Sequence, residues 1–168
     1  MPDTLTEAEM PVFGRPVPGA DYHDRPTVYG IVPGLSDAGP SGGGLIATVR
    51  IARPAGDFWD LPGGMLDPGE GALEALRREC LEEIGWEVAP LTAIASARQY
   101  TTTSAGERRH NIARYYLCRA VADRDGKVEA DHTLVWLDAR EAMNRMRHEA
   151  AAWAIGEWLK SGVRADGA

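Results

Sequence analysis

Apolar residues follow two periods along the chain. Alternation near period two marks Thr27-Val28-Tyr29-Gly30-Ile31-Val32 and Leu45-Ile46-Ala47-Thr48-Val49-Arg50-Ile51 as strands. The Ser/Gly/Pro-rich run Leu35–Gly44 between them is a loop. Arg53–Asp57 turns the chain, Phe58–Leu61 follows, and Leu61-Pro62-Gly63-Gly64 ends that strand. Helical period takes over near Gly71 and stops at Gly85, a natural left-handed C-terminal cap. At about 100° per residue, Leu73, Leu76, Cys80 and Ile84 share one face, expected to be buried. Glu79, Glu82 and Glu83 lie elsewhere on the helix, within an arc of about 100°.

Beyond Gly85, Glu87-Val88 is short and Pro90 is expected to break it. Leu91–Thr102 and His110–Ala120, joined by a polar turn at Ser104–Arg109, predict an antiparallel hairpin. Asp125-Gly126 marks a turn, and Thr133–Leu137 another strand. Asp138 caps a helix carrying Ala142, Met143 and Met146. A second helix spans about Glu149 to Lys160, with Trp153, Ile155 and Trp158 as packing residues. Met1–Pro26 is rich in Pro, Gly and acidic residues, and is expected to lie extended over a sheet edge or a dimer contact. The expected organisation is an extended segment 1–26, a single domain 27–162 and a tail 163–168.

The 168 residues suffice for one domain with a sizeable core. The net charge of −7 gives no broad basic footprint, which argues against a nucleic-acid binder. It does not exclude a phosphorylated substrate, because a cation can bridge carboxylates to phosphate. Cys80 and Cys118 form no disulfide framework and read as inert core residues. No apolar run is long enough for a membrane span, and Met1-Pro2-Asp3-Thr4 opens no secretory signal. A cytoplasmic location is the default expectation.

The chemistry concentrates between Gly63 and Trp86. The glycines at 63 and 64 permit close backbone approach to a ligand, and Glu70 sits at the positive end of the helix. Glu79, Glu82 and Glu83 repel one another at helical spacing. That crowding suits a hard divalent cation, which takes oxygen ligands and commonly pairs with substrate phosphates.

Gly64, Glu70, Arg78, Glu79, Glu82, Glu83 and Gly85 fill every fixed position of the box G-x5-E-x7-R-E-U-x-E-E-x-G-U. Cys80 and Trp86 take its two apolar positions, Cys80 being smaller than usual. The chain thus resembles the Nudix hydrolase superfamily over Gly64–Trp86. Trp59-Asp60-Leu61-Pro62-Gly63-Gly64 before the box and a Trp-bearing strand followed by helices near the C-terminus extend the likeness. The resemblance implies an α/β/α sandwich with a mixed β-sheet between helices. It implies hydrolysis of a pyrophosphate bond in a nucleoside diphosphate linked to another moiety, with Mg²⁺ or Mn²⁺ as cofactor. A sensing module without turnover, or a phosphohydrolase or isomerase with a non-nucleotide substrate, are the alternatives. Glu79, Glu82, Glu83 and the Gly64 carbonyl are the implied metal ligands, and Arg78 is expected to pair with Glu70. The general base is sought at Glu79 or Glu82, then at Glu129 or Asp131. Arg50, Arg98, Arg108, Arg109 and Arg114 are phosphate-binding candidates. Trp59, Tyr29, Tyr100 and Tyr115 are candidates for stacking on a base. Asp131–Trp136 is similar to a segment of bacterial MutT-like members, which adds His132 as a substrate contact. The expected partner is a small phosphoanhydride substrate, with homodimerisation through Met1–Pro26 as a further expectation.

Overall fold

The computed structural model describes residues 6–34 and 44–165; the loop expected at Leu35–Gly44 lies outside them except for Gly44, as do residues 1–5 and 166–168. A single 3₁₀ turn (Glu7–Glu9) precedes β1 (Val12–Phe13), β2 (His23–Ile31), β3 (Leu45–Ile51), β4 (Phe58–Asp60) and β5 (Gly63–Met65). Then come α1 (Ala72–Ile84), β6 (Trp86–Thr102), β7 (Arg108–Asp123), β8 (His132–Asp138), α2 (Ala139–Arg145) and α3 (Glu149–Ser161).

Five strands form a mixed sheet in the order β1-β6-β7-β2-β5, and three form an antiparallel sheet in the order β4-β3-β8. β2 runs parallel to β7 and antiparallel to β5. A bridge between Pro33 and Ile46 links the two sheets. One core cluster gathers Ile31, Tyr115, Leu117, Ile155 and Trp158 beneath α2 and α3. The other gathers Val28, Val49, Leu76, Cys80, Val88 and Cys118 beneath α1. Helices therefore cover both sides of a mixed sheet, the expected α/β architecture. Among the described residues, no helix is long and apolar enough to cross a membrane.

Several expectations need correction. β2 begins at His23, four residues before Thr27, because β7 offers a parallel partner from Arg109 onward. Pro90 does not end a strand: β6 continues through it, with register shifts between Glu87 and Val88 and between Pro90 and Thr92. An irregularity in the ladder accommodates the missing N–H of proline. Leu73 is 40% exposed, whereas Ala75 joins Leu76, Cys80 and Ile84 inside. Glu83 is buried too, so one of the three carboxylates lies within the protein. In the N-terminal segment, Val12 and Phe13 pair in parallel with Arg98 and Gln99 on the outer side of β6. Near the C-terminus, the Trp158 indole N–H donates to the Val163 carbonyl and Ala165 joins the core.

Truncation separates the two leucines of α1. Leu76→Ala should cost about 2–5 kcal/mol and Leu73→Ala under about 1 kcal/mol. Urea denaturation reads both; equal losses would contradict the observed helix orientation.

Candidate active site

Gly63 carries φ 144°, and a Cβ there would lie 2.1 Å from the Val28 carbonyl oxygen. Only glycine lets β5 close against β2 at that point. The next residue faces the other way: a Cβ on Gly64 would lie 2.7 Å from Cδ of Glu79. The box loop and α1 are thereby held in direct contact.

Arg78 braces this contact. Its Nε donates to Glu70 Oε1 at 2.9 Å and its Nη2 to Glu70 Oε2 at 2.8 Å, a two-pronged ion pair. Nη1 donates to Glu79 Oε1 at 2.8 Å and to Glu82 Oε2 at 3.3 Å. Nη2 also reaches the Met65 carbonyl at 3.3 Å. Glu70 Oε2 accepts from the Asp67 amide as well, closing the loop on itself. Hydrogen bonding to Arg78 holds the Glu70 carboxyl down at about 2.

Glu83 is anchored differently. Its Oε2 accepts from the Gly63 amide at 2.9 Å, and its Oε1 lies 3.3 Å from His132 Nε2. Burial raises Glu83, while His132 and the Gly63 amide oppose the rise. His132 Nδ1 lies 2.9 Å from Asp131 Oδ1 and 3.1 Å from Glu129 Oε2. With Glu83 foremost and these neighbours adding, His132 rises above its ordinary value and carries a proton. Ligand atoms of Glu129, Asp131 and His132 lie within 4.8 Å of one another. The segment is pinned to α1, since the Val128 and Glu129 amides both donate to the Glu82 carbonyl, at 2.9 and 3.3 Å.

Burial also raises Glu79, with Glu82 and Glu129 adding to the rise and Arg78 opposing it. Four carboxylates, those of Glu79, Glu82, Glu83 and Glu129, thus gather around the box. Arg78 takes one oxygen each from Glu79 and Glu82, leaving the other oxygen of each without a hydrogen bond among the described residues. Excess negative charge with free hard oxygen donors fits a divalent cation such as Mg²⁺ or Mn²⁺.

A family model for the NUDIX domain matches residues 35–159. The chain belongs to the Nudix family. A stretch of 39 residues is 64% identical to a Bacillus subtilis (strain 168) protein named "Putative 8-oxo-dGTP diphosphatase". That stretch is 23% of this chain and spans only 26% of the relative's length. A Nudix hydrolase from Nitrosomonas europaea superposes with a TM-score of 0.66 at 19% identity, over 83% of this chain and 91% of that one. A MutT protein from Methanosarcina mazei Go1 gives 0.63 at 19% identity, over 85% and 98%. At such identities the structural likeness establishes the fold.

The remaining candidates on this Nudix chain are scattered. Glu129, Asp131 and His132 meet the box as described. Asp131 is also paired with Arg53 and held down at about 2, first by its hydrogen bond to His132. Arg114 is exposed and lies level with Gly64, through Val28, on the same side of the sheet. Arg50 sits between Trp59 and Thr133 in the small sheet and pairs with Asp57 at 3.6 Å. The Trp59 ring carries Arg145 at 5.0 Å. Tyr100 is four residues along β6 from Ser96, the residue level with Gly64, so roughly 13 Å further along the strand. Its ring stacks on His110 at 4.3 Å and meets Tyr22 edge-on at 4.9 Å. Tyr29 and Tyr115 stack on one another at 5.6 Å. Arg25, Asp60 and Arg147 escaped the sequence reading, because only strand pairing and the α2–α3 connection bring them near Tyr29.

The Glu70–Arg78 pair has a pH signature. A depressed carboxyl adds stability that is present above its ordinary value near 4.5 and is lost as pH falls through about 2. Urea midpoints of wild type and Glu70→Gln should differ most near neutrality and converge only below about pH 2. A difference independent of pH would place the stabilisation elsewhere.

Proposed function

We propose that this Nudix protein is a divalent-metal-dependent hydrolase of a pyrophosphate bond in nucleoside-diphosphate-linked compounds. One observation carries the reading: four carboxylates converge on a glycine loop while a single arginine satisfies only part of them. Glu79 and Glu82, with the Gly64 carbonyl, would hold Mg²⁺ or Mn²⁺, supported by Glu83 and Glu129. Once bound, such an ion neutralises pyrophosphate charge and lowers the pKa of a coordinated water.

The chain's own residues perform the remaining tasks. Glu70 and Arg78 fix the loop against α1 and so set the position of Glu79. Glu83 holds the Gly63 amide, which keeps the adjacent Gly64 carbonyl in place. His132, gripped by Glu83 and Asp131, locks β8 to the box. Whichever of Glu79 and Glu82 does not give its free oxygen to the ion accepts the proton of the attacking water. The named activity of the B. subtilis relative supports a nucleoside triphosphate within the substrate class.

Release of phosphate and pyrophosphate should be measured with (d)NTPs, 8-oxo-dGTP, dinucleoside polyphosphates, ADP-ribose, NADH and sugar nucleotides. One class should be cleaved with Mg²⁺ and not with EDTA. Glu82→Gln and Glu79→Gln should each lower kcat by about 100-fold or more. Turnover that survives chelation, or that both variants retain, would overturn the reading.

A further inference from the structure

The turn after β3 carries an arginine that the box chemistry does not use. Arg53 stands between Ala52 and Pro54, and a residue before proline is pushed out of the helical region into extended backbone. The Gly56 amide donates to the Arg53 carbonyl at 3.0 Å and closes the turn behind it. The guanidinium thus leaves from a fixed base. Its Nη1 donates to the Ala52 carbonyl at 2.8 Å and to Asp131 Oδ2. The Ala52 amide donates in turn to the Asp131 carbonyl at 3.0 Å. Asp131 is therefore held twice, through its backbone and through its side chain, by adjacent residues of one turn.

The grip passes inward. Asp131 gives Oδ2 to Arg53 and Oδ1 to His132 Nδ1, at 2.9 Å. The other imidazole nitrogen, Nε2, lies 3.3 Å from Glu83 Oε1, and Glu83 Oε2 accepts from the Gly63 amide at 2.9 Å. A continuous chain, Arg53–Asp131–His132–Glu83–Gly63, runs from the surface of the small sheet to the box strand of the large one. Glu129 competes for the same ring, its Oε2 3.1 Å from Nδ1. With Asp131 released, Nδ1 would be left to Glu129, and the ring would turn with it. Burial changes sharply along the chain. Arg53 and Asp131 are 43% and 46% exposed, whereas His132 and Glu83 are 9% and 10% exposed. An exposed ion pair adds little to stability. What Arg53 supplies is direction, because it decides which acceptor the buried ring meets.

We infer that Arg53 is a positioning residue for the box: through Asp131 and His132 it orients the Glu83 carboxylate and so holds the Gly63–Gly64 backbone against α1. Resting on the proposed metal-dependent hydrolysis, this deepens it by naming a surface residue that acts on the site while touching neither substrate nor ion. Loss of an outlying partner of a metal site costs about tenfold or more in metal affinity or activity. Small errors in placement weigh more on the rate than the pairing energy does on the fold.

The test uses Arg53→Met and Asp131→Ala in the full chain, singly and together. Arg53→Met should keep the wild-type urea midpoint, since the pair it loses is exposed. For the substrate identified by the panel it should lower kcat about tenfold with KM within about threefold. Mn²⁺ affinity, titrated by electron paramagnetic resonance without substrate, should also fall about tenfold. Adding Arg53→Met to Asp131→Ala should cost nothing further, because the effect runs through Asp131. Arg53→Lys, which restores a cationic donor, should recover most of the loss. A further readout needs neither metal nor turnover. The His132 imidazole nitrogens, followed by long-range proton–nitrogen correlation in EDTA and assigned by their absence from His132→Gln, should shift in Arg53→Met and much less in Arg53→Lys. Unchanged imidazole signals in Arg53→Met overturn the inference, and so do additive losses in the double variant. A raised KM at constant kcat would mark Arg53 as a substrate contact and also overturns it. If the panel yields no turnover while the imidazole signals and Mn²⁺ affinity move as stated, the hydrolysis fails and the positioning role stands.

Discussion

The arrangement depends on one guanidinium. Arg78 touches the loop through Glu70 and the Met65 carbonyl, and the helix through Glu79 and Glu82. Without it, the carboxylates of Glu70, Glu79 and Glu82 would lose the one cation they share. The ion pairs are partly shielded, with Arg78 28% and Glu70 10% exposed, so solvent screens them less than it would a surface pair. Arginine suits the task better than lysine. Its planar fork can serve Glu70 with one edge while a third nitrogen direction serves α1. The same charge that ties the loop to the helix is too small to neutralise every carboxylate present. That shortfall is what fits the site to the cation proposed for it.

A second constraint ties the far side of the site to the first. Gly85 ends α1 in the left-handed conformation at φ 75°, and its carbonyl accepts from the Arg124 amide. The chain then returns through Asp125, itself at φ 49°, and Gly126, where a Cβ would lie 2.6 Å from a Leu81 methyl carbon. This close return delivers Val128 and Glu129 to the Glu82 carbonyl and His132 to Glu83. The end of the helix therefore positions the outlying acid as well as the helical ones. Glu83 can be buried because each of its oxygens has a protein donor, as a buried charge requires.

Legibility in the sequence followed the range of the interaction. β3, α1, α2, α3 and the β6–β7 hairpin rest on local periodicity and caps. Asp138, for example, accepts from the Arg140 and Glu141 amides as an N-cap should. The box was legible because its spacing reflects one loop and one helix. The orientation of α1 was less so. Leu73 satisfies the helical period, but it lies in the first turn, where the helix overhangs its core, while Glu83 turns inward toward a histidine 49 positions away. β2 was misplaced at its start because its extra residues are held by β7, more than eighty positions distant. Arg25, Thr27 and Asn111 were invisible for the same reason. Nothing in the run His23–Thr27 distinguishes a solvated turn from half of a polar patch until its partner strand is known.

These two faces of the sheet explain each other. The α1 face resolves its electrostatic conflict internally as far as Arg78 and His132 allow, and leaves an excess of negative charge. The opposite face carries half-buried Arg25, and three buried polar atoms there, Thr27 Oγ1, Asn111 Oδ1 and Arg109 Nε, have no hydrogen-bond partner among the described residues. β5 separates them by a single layer, with Gly64 facing Glu79 and Gly63 facing Tyr29. A phosphoanhydride joined to a nucleoside carries both kinds of complement: dense negative charge that reaches carboxylates only through a cation, and acceptor oxygens that meet arginine directly.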